Sequence, residues 1–196
     1  MTVPGVFATE FEPDGEPVGT AVVVPGRGYV PAAPLTFFAG FALLQHGWSV
    51  RQVWWDPPAY EADEQTLDWV RGQVEPALPR TGRVLVVGKS LGTWAAPLAA
   101  ERRLPAAWFT PILEVPAITA SIAANPSPQL LVGGTADDLW EGGVARELAG
   151  QGCEVVEIPE ADHVLMIPGD PVRGVEAHVE AIRALDSWLT GLPDID

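Results

Sequence analysis

Along nearly the whole chain, short apolar runs rich in β-branched residues alternate with stretches long enough for one helix each. No other sequence feature constrains the fold as tightly. The runs cover residues 20–24, 49–55, 84–88, 106–110, 129–132 and 154–158, and the helical stretches cover 35–46, 64–78, 91–103, 116–124, 139–150 and 175–189. Runs such as Val84-Leu85-Val86-Val87 carry no polar residue on either face, as strands buried on both sides of a parallel sheet require. A strand–helix alternation of this kind predicts an α/β, doubly wound and mostly parallel sheet, with ligands bound at the carboxyl ends of the strands. Upstream, residues 5–12 and 16–19 flank a Pro13-Asp14-Gly15 turn, which predicts an N-terminal antiparallel hairpin at the sheet edge. The 196 residues fit one domain, 1–196, without internal repeat or linker.

Composition narrows the partners. Eleven Lys and Arg against 26 Asp and Glu give a net charge of −15, which repels phosphate backbones and anionic lipid headgroups, so neither nucleic acid nor a membrane is an expected partner. Cys153 is the only cysteine, which rules out an intrachain disulfide, a CxxC redox pair and a thiolate zinc cluster and fits a reducing cytoplasm. Residues 1–10 lack a basic start followed by an apolar run, and no stretch of about 18 apolar residues occurs, so a soluble, unexported protein is expected.

The chemistry concentrates at Gly88-Lys89-Ser90-Leu91-Gly92, a GxSxG run placed between the strand at 84–88 and the helical stretch that follows. A glycine-rich strand-to-helix turn of this kind can also bind an anion, although phosphate-binding loops use a longer glycine pattern. A serine hydroxyl needs a base within reach and a third group behind that base. Of three histidines, His46 stands at a helix end and His178 within the last amphipathic helix, whereas His163 follows the strand at 154–158 in a loop. His163 is therefore the candidate base. Past the strand at 129–132, the run Gly133-Gly134-Thr135-Ala136-Asp137-Asp138 offers two carboxylates for the third position.

In its strand–GxSxG–helix context the motif resembles the nucleophile elbow of the α/β-hydrolase family. The run Gly134-Thr135-Ala136-Asp137 resembles that family's Gly-Thr-x-Asp acid loop, which assigns the acid to Asp137 and leaves Asp138 to cap the next helix. The chain order Ser90, Asp137, His163 matches the family's nucleophile, acid, base. Pro25-Gly26-Arg27-Gly28-Tyr29 resembles its His-Gly-x-Gly loop, with proline in place of the frequent histidine. The resemblance implies an oxyanion hole built from the Leu91 and Arg27 backbone amides, and a site that uses no cofactor or metal. Only residues 111–128 stand where many relatives carry a lid, enough for one short helix, so no lid domain is expected and the site should be open.

Around this centre the candidate pocket residues are Gly26, Tyr29, Trp54, Trp94 and Trp140. Trp54, Trp55, Trp94 and Trp140 fall near strand ends or helix starts, and half or more of the four should prove structural. Arg27 is a candidate for pairing with a substrate carboxylate, Lys89 should pack sideways, and Cys153 reads as a small buried hydrophobe. The expected activity is a serine hydrolase of carboxylesterase or thioesterase type acting on a small acyl substrate. An acyltransferase, a peptidase and a non-catalytic scaffold of the same fold stay open, as does a homo-oligomer.

Overall fold

The computed structural model describes residues 9–58 and 64–193. Its seven strands are β1 (Thr9–Phe11), β2 (Gly19–Val24), β3 (Trp48–Gln52), β4 (Val84–Lys89), β5 (Ala106–Phe109), β6 (Gln129–Gly134) and β7 (Glu154–Ile158). They form one sheet in the order β1-β3-β2-β4-β5-β6-β7, parallel except for β1, which runs antiparallel to β3. The helices are α1 (Pro34–Gln45), α2 (Glu64–Val74), α3 (Ala96–Glu101), α4 (Pro116–Ala124), α5 (Gly142–Gly150) and α6 (Pro171–Gly191).

Alternation along the central strands divides the core in two. Val22, Val24, Val86, Trp108 and Leu131 face one cluster, covered by Val70 of α2, Leu98 of α3, Ile118 and Ile122 of α4 and Leu148 of α5. Ala21, Val23, Val87, Phe109 and Val132 face the other, covered by Leu35 and Leu43 of α1 and by Ala181, Leu185 and Trp188 of α6. Both faces of β2, β4, β5 and β6 are thus apolar, which is why those segments read as unbroken hydrophobic runs. Only the edge strands β1 and β7 carry exposed residues, at all three positions of β1 and at Glu154 and Glu157 of β7.

Several boundaries differ from the sequence expectation. The antiparallel edge is there, but β1 pairs with β3, with Phe11 opposite Val50, and not with the segment that follows it as a hairpin would. β2 instead lies between β3 and β4, where its four buried residues, Ala21 to Val24, have a strand on each side. Residues 5–8 of the expected first arm lie outside the described residues. β3 ends at Gln52, so Trp54 and Trp55 lie beyond it. The stretch after β4 opens as a 3₁₀ segment, Ser90–Ala95, before α3; Pro97, which has no N–H, sits in the first turn of α3. α5 begins at Gly142 because residues 137–141 turn around Asp137. Only α4 occupies the stretch between β5 and β6, and no lid is built there. Among the described residues no helix is long and apolar enough to cross a membrane.

The strand order reverses at β2: the chain steps outward to β3, then returns to β4 on the other side. The loops that leave β2 and β4 therefore stand side by side at the switch in strand order, the place where doubly wound sheets bind ligands.

Candidate active site

Ser90 sits at the carboxyl end of β4, on a turn so sharp that its φ is +52°. L-residues rarely hold this left-handed backbone conformation, so the surroundings must enforce it. The flanking glycines show how. A Cβ on Gly92 would lie 2.3 Å from the Val24 carbonyl oxygen, and one on Gly88 would lie 2.7 Å from the Trp108 ring and 2.8 Å from the Gly92 oxygen. Only residues without side chains let the turn pass this close to β2 and β5.

The structure brings all three expected residues together. The His163 Nε2 is 2.7 Å from Ser90 Oγ, and its Nδ1 is 2.9 Å from Oδ2 and 3.0 Å from Oδ1 of Asp137. The Asp137 side chain has no exposed surface, whereas that of His163 is 30% exposed, so the histidine sits at the boundary between core and solvent. A carboxylate only accepts hydrogen bonds. Nδ1–H therefore donates to Asp137, leaving Nε2 free to accept from the serine hydroxyl. Asp137 Oδ1 also accepts from the Leu139 amide at 2.9 Å, which fixes the carboxylate's rotation. Asp138 is exposed and does not cap α5, whose N-cap is Glu141.

Two loops hold acid and base in register. Behind β6, the Thr135 amide donates to the Ile158 carbonyl, the Ala136 amide donates to the Ala161 carbonyl, and Thr135 Oγ1 accepts from the Glu160 amide. A Cβ on Gly134 would lie 2.0 Å from the Ala161 oxygen, so the acid loop rests directly on the base loop. Asp162 stiffens the base loop: its Oδ1 accepts from the amides of Val164 and Met166, each at 2.9 Å. The sequence reading missed this role, although Asp in a loop between a strand and a helix is the residue type that forms such Asx turns.

The loop after β2 lies against Ser90. The Gly26 amide donates to the Tyr29 carbonyl at 3.2 Å, closing a tight turn that contains Arg27 and Gly28. A Cβ on Gly26 would stand 3.3 Å from Ser90 Cβ and 3.1 Å from Lys89 Cδ. The Trp55 indole donates to the Gly26 carbonyl at 3.1 Å, and the Tyr29 hydroxyl accepts from the Leu35 amide at the start of α1. Burial raises the Tyr29 phenol above its ordinary range. The Arg27 guanidinium donates to the Pro58 carbonyl, and its backbone lies at the crest of the turn.

The tryptophans divide. Trp94 and Trp140 are 4% and 7% exposed and pack in the core, with the Trp140 indole donating to Glu157, so they support the sheet and do not wall a pocket. Trp54 donates to Thr9 Oγ1 of the edge strand, away from Ser90. Trp55, which the pocket set omitted, is the one bonded to the loop beside the serine; its ring also packs at a 45° tilt against Trp69, with centroids 5.2 Å apart. The other histidines are occupied elsewhere: His46 reaches Asp186 at 2.9 Å and His178 reaches the Gly174 carbonyl at 2.8 Å. Burial pushes the Cys153 thiol up to about 11, which makes it a poor nucleophile.

The same arrangement of sheet and helices recurs in solved structures. It is similar to an α/β serine hydrolase without a lid from Xanthomonas campestris, at a TM-score of 0.66 and 16% identity over 98% of each chain. It is also similar to Est1E from Butyrivibrio proteoclasticus, at 0.73 and 14% identity over 97% of this chain and 96% of that one. A dienelactone hydrolase from Anabaena variabilis gives 0.64 and 18% over 94% and 91%. The chain therefore has the α/β-hydrolase fold, with only α4 between β5 and β6. No protein-family model matches the chain, and no curated protein matches it in sequence.

Proposed function

We propose that the chain is a serine hydrolase that cleaves a carboxylic ester or thioester of a small substrate through an acyl-enzyme on Ser90. The observation that carries this reading is the 2.7 Å contact from His163 Nε2 to Ser90 Oγ, with Asp137 on the opposite ring nitrogen. In this mechanism His163 takes the hydroxyl proton as Oγ adds to the acyl carbon. The tetrahedral intermediate collapses, and the protonated imidazole gives its proton to the departing alkoxide or thiolate. Water, deprotonated by the same nitrogen, then attacks the acyl-enzyme and releases the acid and free Ser90.

The developing oxyanion is assigned to two backbone donors. Leu91 is the second residue of the 3₁₀ segment that Ser90 opens, where the first amides have no acceptor within the segment. The second is the amide of Arg27 in the turn against Ser90. Donors of this kind contribute about 3 kcal/mol each to transition-state stabilisation. With only α4 between β5 and β6, an open site that takes small or flexible acyl groups fits this reading. The single cysteine supports a reducing, cytoplasmic setting.

The test is labelling with a fluorophosphonate probe together with turnover of an activated aryl ester. Wild type should label at Ser90 and turn over, and Ser90→Ala should do neither while keeping its thermal midpoint. An unlabelled wild type, or a Ser90→Ala variant with wild-type turnover, would remove Ser90 from the role.

A further inference from the structure

Lys89 is an unusual neighbour for a nucleophile. It is 2% exposed at the end of β4, and among the described residues no carbonyl or carboxylate accepts a hydrogen bond from its ammonium. What faces the charge is the ring of Tyr29, whose centroid lies 4.8 Å from Nζ. The side-chain stem runs beneath Gly26, with Cδ 3.1 Å from where a Cβ would be. Lys89 therefore touches both ends of the Gly26–Tyr29 turn, and that turn carries the amide of Arg27.

We infer that Lys89 is a positioning residue, whose ammonium holds the Tyr29 ring and thereby fixes the turn after β2 against Ser90. This deepens the proposed hydrolase function and rests on it. Burying this lysine costs part of the hydration of its charge, which no hydrogen bond among the described residues offsets, and an apolar side chain of the same length would fill the space without that cost. A charge held over an aromatic face does what methionine cannot: it binds one ring in one place with no hydrogen-bond partner. Because the turn's amide acts on charge that develops only in the transition state, loosening the turn lowers kcat and leaves KM nearly unchanged.

The pH dependence follows from the same contacts. The titratable groups around the ammonium are Tyr29 on the loop after β2, Asp137 on the loop after β6, and Asp162, beside His163, on the loop after β7. Burial lowers the amine to about 8, with the two carboxylates opposing the shift, whereas the Tyr29 phenol is moved upward, away from that range. Losing the proton ends the attraction to the ring, so wild-type kcat should fall on the alkaline side near pH 8.

The test is Lys89→Met, assayed on an activated ester from pH 6 to 9.5, with wild type and Ser90→Ala beside it. The expected result is a kcat lowered at least tenfold at pH 7, a KM within threefold, no alkaline decline, and a thermal midpoint equal to or above that of wild type. A kcat within threefold of wild type overturns the inference. So does a loss of kcat that comes with a lower thermal midpoint and an unchanged alkaline decline, the pattern of a merely structural residue. Should Lys89→Met not fold, Tyr29→Leu removes the ring instead; it should lower kcat with KM held, and unchanged kcat overturns the inference. If wild type shows no Ser90-dependent turnover, the hydrolase reading itself fails. If Ser90-dependent turnover is intact and indifferent to Lys89, only the positioning role fails.

Discussion

Replacing Asp137 with Asn changes almost nothing in shape and removes what the proposed mechanism needs from that position. The Leu139 amide, 2.9 Å from Oδ1, keeps the acceptor oxygen on its own side, so the new amide nitrogen takes the place of Oδ2, 2.9 Å from His163 Nδ1. A donor there favours the tautomer in which Nδ1 accepts and Nε2 carries the hydrogen, and that Nε2 cannot take a proton from Ser90. The second loss is charge. An imidazolium forming about 4 Å from a carboxylate gains about 4 kcal/mol at an effective dielectric of 20, equivalent to roughly a thousandfold in rate. Adding the tautomer effect brings the expected fall in kcat to about 10³–10⁴, in line with the asparagine substitution in other triads. The assay is steady-state turnover of an activated aryl ester, with circular dichroism to confirm the fold and Asp138→Asn as the companion. Asp138 is exposed, and its variant should stay within twofold of wild type. A folded Asp137→Asn enzyme within tenfold of wild type, or a larger loss from Asp138→Asn, would refute the assignment.

Gly134→Ala would drive a Cβ into the Ala161 carbonyl and separate the acid loop from the base loop. It should cost about 3 kcal/mol in urea unfolding and most of the activity, and a variant within 1 kcal/mol of wild type would contradict that packing. Asp162→Ala leaves the Val164 and Met166 amides without their side-chain acceptor. A stability loss of about 1–2 kcal/mol, with kcat falling more than KM changes, is expected, and unchanged kinetics would show that His163 is held by other contacts. Stability should also depend on pH through Lys89. Its folded pKa of about 8 lies below the ordinary 10.5, so between those values the unfolded chain binds more protons and stability rises with pH. Cys153, raised from 9.0 to about 11, acts in the opposite sense from about pH 8 upward, but Lys89→Met keeps it, so the comparison isolates the lysine. From pH 8 to 9 wild type should gain about 1 kcal/mol relative to Lys89→Met in chemical denaturation; equal slopes would argue against a buried lysine.

The order of strands and helices was legible in the sequence because burial on both faces leaves runs such as Val84-Leu85-Val86-Val87 with nothing polar. The spacing of Gly88 and Gly92 about Ser90 was legible too, since their side chains are excluded by backbone that passes within van der Waals range. Partners across the sheet were not. Whether β1 pairs with β2 or β3 depends on which strand flanks β2, and that depends on the crossover that places β4, not on the Pro13-Asp14-Gly15 turn. Trp54 and Trp55 are equivalent in sequence, yet they diverge once β3 ends at Gln52, one going to Thr9 and the other to Gly26.

By itself the sequence determined which residues were candidates for the chemistry and the layer each would occupy, because periodicity, glycine spacing and chain order are local properties. Only the tertiary structure decided distances and surroundings. It put the imidazole of His163 2.7 Å from a hydroxyl 73 residues earlier in the chain, and it set the ammonium of Lys89 over the ring of Tyr29. Both depend on loops from β2, β4, β6 and β7 meeting at one end of the sheet, which is a consequence of strand order and of close packing between loops that never adjoin in the chain.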